Sequence, residues 1–195
     1  MLGLRIELTS RQDTADIKES WNYPGNVGDA LKLVEGWDER VAAIIRTTPP
    51  EKLVDWKLVY RVAIKSWSSP QGRIVLIGDA AHPFLPTSAQ GASQAVEDAV
   101  TLAVCLDLAG REKIPEAVRA LERIRFKRVS KVQNTGVTTR QKWHKLDWDN
   151  INKDPSFVKM PHPQWIVGFD AEAHAYNVYA ETVEDMQKER SGAGA

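Results

Sequence analysis

Apolar and polar side chains alternate along Leu4-Arg5-Ile6-Glu7-Leu8, the pattern of a half-exposed strand. Gly25 and Gly28 then mark a turn. Beyond it Ala30, Leu31, Val34 and Trp37, followed by Val41, Ile44 and Ile45, recur at helical spacing and predict two short helices joined near Gly36. Thr47-Thr48-Pro49-Pro50 ends the second, because a residue before proline is pushed out of the helical region. Residues 56–63 suggest another strand. Ser68-Ser69-Pro70-Gln71-Gly72 is a turn feeding the run Ile74-Val75-Leu76-Ile77, whose unbroken apolarity predicts a buried strand.

The run opens into Gly78-Asp79-Ala80-Ala81-His82-Pro83-Phe84-Leu85-Pro86 and then, from Gly91, into a long helical pattern. Ala92, Ala95, Val96, Ala99, Leu102, Ala103 and Leu106 share one side of that helix and are expected to be core. Gly110 is placed to cap it, and Pro115 to start the next helix, from Glu116 to about Asn134. From Thr138 the chain turns polar and aromatic, with Pro155, Pro161 and Pro163 predicting loops before a last helix near 171–190. The expected class is α/β, an α+β arrangement tending to mostly helical.

Composition narrows the partners. The 195 residues carry 26 basic and 26 acidic side chains, a balance that argues against nucleic acid or a membrane surface as the main partner. No apolar run approaches the length of a membrane span. A single cysteine, Cys105, falls on the apolar side of its helix, where a buried thiol in a reducing, cytoplasmic setting is the expectation. His144, His162 and His174 lack the spacing of a metal site, so no metal is expected.

The order strand, loop, helix start is a ligand-binding geometry, since loops and unpaired helix N–H groups converge beyond strand ends. Asp79 can only accept hydrogen bonds when ionised, which suits the hydroxyls of a sugar alcohol and not a phosphate. Gly91 lets backbone approach a flat ligand, and the N–H groups of Ala92 and Ser93 head the positive end of a helix dipole. Pro83 and Pro86 stiffen the loop between. His82 is expected to fix the loop through a backbone hydrogen bond. Glu97 and Asp98, adjacent on a helix, should diverge into one internal anchor and one solvated carboxylate. Arg119, Arg123, Arg125, Lys127, Arg128 and Lys131 suggest a solvated face with Glu116 and Glu122 as intrahelical partners.

The stretch from Gly78-Asp79-Ala80-Ala81-His82 through both prolines and Gln90-Gly91 to Glu97-Asp98-Ala99 resembles the second FAD-binding motif of the FAD-dependent aromatic hydroxylases and monooxygenases, the p-hydroxybenzoate hydroxylase and salicylate hydroxylase type. Looser similarity covers most of the chain. The resemblance implies that Asp79 contacts the ribityl hydroxyls of FAD and that Gln90 and the Gly91, Ala92 and Ser93 backbone hold the pyrimidine edge of the flavin. Pro86, with Phe84, would line the flavin and substrate cavity. It implies NAD(P)H as reductant, a small-molecule substrate, and the carboxyl-terminal part of the flavin monooxygenase fold.

The family's Gly-x-Gly-x-x-Gly and Asp-Gly motifs have no counterpart here: Gly192-Ala193-Gly194 has no strand before it, and Asp-Gly does not occur. The expected division is therefore a remnant of the substrate domain over 1–68, an FAD-binding segment over 69–135 and a tail over 136–195, without the dinucleotide-binding βαβ unit. A monooxygenase is one functional expectation. A truncated or degenerate non-catalytic homologue, and one half of a split enzyme needing an N-terminal partner, are the others; an N-terminal half or a homo-oligomer is the expected protein partner.

Overall fold

A computed structural model describes residues 22–56, 61–144, 154, 156, 159 and 163–192. The strand expected at 4–8, and half of the one expected at 56–63, lie outside them. The chain divides into two compact units, the first ending at Val59 and the second beginning at Tyr60.

In the first unit, β1 (Tyr23–Pro24) pairs antiparallel with β2 (Val54–Asp55), Tyr23 opposite Asp55. The two expected helices are present as α1 (Val27–Leu33) and α2 (Glu39–Thr47). Each starts on a side chain that accepts a first-turn N–H: Asn26 takes that of Asp29 and Asp38 that of Arg40. Val34 and Ile45 are the buried apolar side chains of this unit among the described residues. Gly25 is required where it stands, because a Cβ there would come within 2.8 Å of the Leu53 side chain.

The second unit is helical. Helix α3 (Gly91–Ala109) ends at Gly110, whose φ of 68° and N–H bond to Leu106 O make the expected cap. Helix α4 (Ile114–His144) runs ten residues past the expected end, so residues 138–144 are helix and not loop. A short α5 (Gln164–Val167) precedes α6 (Ala171–Gly192). One core joins α3, α4 and α6: Cys105, Ala117, Ala120, Leu121 and Tyr179, flanked by Leu102, Ile124, Val183 and Met186. Burial pushes the Cys105 thiol up to about 12, which keeps it inert. A second cluster, Trp67, Ala81 and Val129 with Phe84 and Phe126, packs the loop onto α4.

Two expectations are corrected. Residues 74–77 form no regular strand: Val75 bridges Ser68, Leu76 N–H bonds Trp67 O, and Ile74 and Leu76 are exposed. A strand needs a ladder on at least one side over several residues, and among the described residues only this single bridge supplies one. The inward face of α3 is also not the apolar one. Gln94, Asp98, Thr101, Val104 and Cys105 are buried, whereas Ala92, Val96, Ala99, Ala103 and Leu106 are exposed and Ala95 and Leu102 half-buried. The reason lies on α4, which presents a buried arginine to α3.

Candidate functional site

The site is built from the loop 78–90 and the first turn of α3. Gly78, at φ 58°, begins a single 3-10 turn that carries Asp79 outward, and a side chain at Gly78 would press on Ala95. A second such turn, Pro86–Ser88, ends at Ala89, whose φ of 50° is the only positive value outside glycine among the described residues. Positive φ at a residue with a Cβ stores strain that the surrounding packing must hold.

These turns bring Asp79 back beside the start of α3. A Cβ built on Gly91 would lie 3.7 Å from Asp79 Oδ1 and 3.5 Å from Phe84 Cβ, so the glycine keeps open the space between carboxylate and helix. Asp79, Pro86, Ala92 and Ser93 are exposed, Phe84 half-buried and Gln90 buried. Gln90 precedes the helix without capping it by its side chain, and its own N–H bonds Ser88 Oγ. An exposed acceptor thus stands next to an uncapped helix N-terminus, a donor set that fits a ligand with hydroxyls at one end and an acceptor edge at the other. The predicted residues Asp79, Phe84 and Gly91 are brought together, and Ala92 and Ser93 follow on the same turn. Pro86 begins the second 3-10 turn and is exposed.

Asp98 holds this loop. Its Oδ2 accepts Gly78 N–H at 3.0 Å and His82 Nε2 at 2.6 Å, and its Oδ1 accepts Arg125 Nε at 2.8 Å. Burial would push this carboxyl up, but the bonds from His82, Arg125 and Gly78, with the arginine's charge, hold it below the ordinary carboxylate range. His82 is fully buried between Trp67 and Phe84, with ring centroids 5.0 and 5.7 Å away. The partner of its side chain is therefore a carboxylate and not the expected backbone group.

Nor does Glu97 diverge into solvent. It accepts Arg125 Nη1 at 2.5 Å and Arg128 Nε and Nη2 at 2.7 and 2.8 Å, while Gln94 Oε1 takes Arg125 Nη2 at 2.8 Å. Burial opposes its ionisation too, and the two arginines overcome it. The basic side of α4 is solvated at Arg123, Lys127 and Lys131, as expected, but not at Arg125 and Arg128, and its partners are not the local ones. Arg125 is buried, Arg128 reaches the carbonyls of Trp165 and Ile166 and lies 3.5 Å over the Phe169 ring, and Glu122 accepts the N–H groups of Trp67 and Ser68. Arg125 is the residue that reading the sequence as a charged face missed. Its signal is position: Val118, Leu121, Val129 and Val132 flank it at helical spacing, all buried.

A known family matches this arrangement. The family described as FAD binding domain matches residues 28–133. Asperlicin C monooxygenase of Petromyces alliaceus is 40% identical over 177 residues, 90% of this chain and 39% of that protein. FAD-dependent monooxygenase fsr3 of Gibberella fujikuroi is 45% identical over 85% of this chain and 32% of its own length. Among solved structures, CtdE in complex with FAD and a substrate superposes with a TM-score of 0.78 at 35% identity, covering 90% of this chain and 42% of CtdE. FqzB gives 0.77 at 39% identity over 91% and 41%. This chain thus spans about two fifths of the relatives' length or less. By the family match over more than half its residues, it belongs to the FAD binding domain family.

Proposed function

We propose that this chain is the carboxyl-terminal, FAD-binding part of a flavin-dependent monooxygenase that hydroxylates an aromatic or related small molecule with NAD(P)H and O2. The observation that carries the reading is Asp79 Oδ1 beside Gly91 at an uncapped helix start, in a segment matched by the family. Asp79 would hold the ribityl hydroxyls. The first-turn N–H groups of Gly91, Ala92 and Ser93, with Gln90 behind them, would hold the pyrimidine edge, where a positive helix end favours the negative charge of the reduced ring. Pro86 and Phe84 would line the cavity, and their apolar surface would exclude water from it. FAD, when bound, supplies the redox chemistry that connects NAD(P)H to O2, and the chain's part is to place it.

Within this reading, 69–135 is the FAD-binding segment, 1–68 the end of a substrate domain and 136–195 a tail. The exposed stripe Val96, Ala99, Ala103 and Leu106 along one side of α3 supports a further requirement. So much adjacent apolar surface on one face favours packing against more protein. That protein would carry the dinucleotide-binding unit, in the same polypeptide or in a separate chain, and a reducing, cytoplasmic setting suits the buried thiol.

Titration with FAD, followed by flavin fluorescence and visible absorption, tests the reading. Saturable binding that weakens in Asp79→Asn supports it. Binding that is absent both for this chain and after a dinucleotide-binding partner is supplied would overturn it in favour of a non-catalytic homologue.

A further inference from the structure

The buried ionic cluster between α3 and α4 poses a physical problem of its own. A guanidinium and two carboxylates taken out of water are a poor route to stability, and apolar side chains of the same volume often do as well or better. Arg125 is 1% exposed and sits in a stripe of buried valines and leucine, where an apolar residue would be the simple choice. What a charged network supplies and an apolar contact cannot is direction.

Here the direction leads to the loop. Nε of Arg125 fixes one oxygen of Asp98, and the other oxygen is thereby aimed at Gly78 N–H and His82 Nε2, the two ends of the first turn that carries Asp79. Because Asp98 is ionised and only accepts, His82 presents Nε2–H to it. Its Nδ1 is left buried with no partner among the described residues, so this carboxylate is the only polar hold on the ring. Nη1 and Nη2 of the same guanidinium donate to Glu97 and Gln94, on the first two turns of α3. One side chain therefore braces both halves of the candidate site: the loop through Asp98, and the helix start through Gln94 and Glu97.

We infer that Arg125 is a positioning residue for the flavin site, setting the placement of Asp79 relative to Gly91 through Asp98 without touching the ligand. The inference rests on the flavin reading of that site, but its structural half can be tested without FAD. Amide hydrogen exchange of the full chain reads the loop directly. In Arg125→Gln, amides of residues 78–84 exchange faster by at least about tenfold, the loss of a charged buried hydrogen bond, while residues 99–109 of α3 keep their protection. Arg125→Lys, which retains a cation able to reach Asp98, recovers part of that protection. Unchanged exchange over 78–84, or an increase spread evenly over α3 and α4, would overturn the inference, the latter because it marks a stability role alone. If Arg125→Gln does not fold, Asp98→Asn gives the same local comparison.

A double-mutant cycle on FAD affinity completes the test. Asp79→Asn weakens FAD binding in the otherwise unchanged chain and has little further effect in Arg125→Gln, since the carboxylate is already misplaced. Full additivity would overturn the inference while leaving the flavin reading intact. Failure of the unchanged chain to bind FAD, both alone and with a dinucleotide-binding partner supplied, would sink the flavin reading instead, and the exchange result would then decide the brace alone.

Discussion

Gly136 on α4 lies directly against Ser88 of the loop 78–90: a Cβ on the glycine would come within 2.7 Å of the serine Cβ and 3.4 Å of its Cα. Ser88 is itself buried and takes the Gln90 N–H on its hydroxyl, so it has no room to retreat. The helix gives up propensity here so that the strained turn ending at Ala89 can pack on it.

Gly136→Ala should therefore destabilise the chain, although alanine is the better helix former by about 1 kcal/mol. Overpacking costs about 1–3 kcal/mol, and the loop must shift to accommodate the methyl group. The expected net result is a lower urea midpoint by roughly 1 kcal/mol of stability and weaker FAD binding. A more stable variant would show that the turn yields freely.

Gly91→Ala separates ligand approach from folding. Its Cβ meets only ordinary contacts, so stability should stay within about 0.5 kcal/mol. The same methyl group would occupy the space beside Asp79 Oδ1, and FAD affinity should fall by about tenfold, or 1.4 kcal/mol. Equal affinity in a fluorescence titration would mean that the ligand does not pass this point.

The sequence made the helices and the Gly110 cap legible because their signals are local, whereas Asn26 and Asp38, equally local caps, were not singled out from the hydrophobic pattern. The meeting of Asp79 with Gly91 was legible through motif resemblance. The orientation of α3 was not. Periodicity marked Ala92, Val96, Ala99 and Leu106 as a face to bury, but it carries no information about which neighbour is present, and the buried side was set by Arg125 on another helix. Likewise Ile74-Val75-Leu76-Ile77 has strand composition, whereas a strand is made by pairing, which is non-local. Arg125 could have been singled out, since an arginine centred in the stripe Val118, Leu121, Val129 and Val132 calls for a buried carboxylate partner.

Glu122 ties the start of the second unit to α4 by one oxygen, which accepts Trp67 N–H and Ser68 N–H at 3.0 Å and Ser68 Oγ–H at 2.8 Å. Truncation leaves these part-buried donors without their acceptor. Glu122→Ala should cost roughly 2–4 kcal/mol, and Glu122→Gln, which retains a carbonyl acceptor, distinctly less. Equal urea midpoints for the two variants would indicate that the glutamate acts by charge alone or not at all.

Acid should loosen the second unit in two separable steps. On α6, the His174 imidazole is held below its ordinary value by burial and by the charges of Arg125 and Arg128. The unfolded chain therefore binds its proton more readily, and stability declines as pH falls from about 7 through the unfolded value near 6.5. Asp98 and Glu97 are also held low, so their contribution is complete above the unfolded values near 4 and is lost as pH falls through the lower folded ones. Both steps run the same way but in different windows. Thermal midpoints measured from pH 7 to 3 should thus show a shallow slope above pH 5 that His174→Gln removes, and a steep one below pH 4 that it leaves in place. A single steep slope unaffected by the substitution would assign all of the acid sensitivity to the carboxylates bound to Arg125 and Arg128.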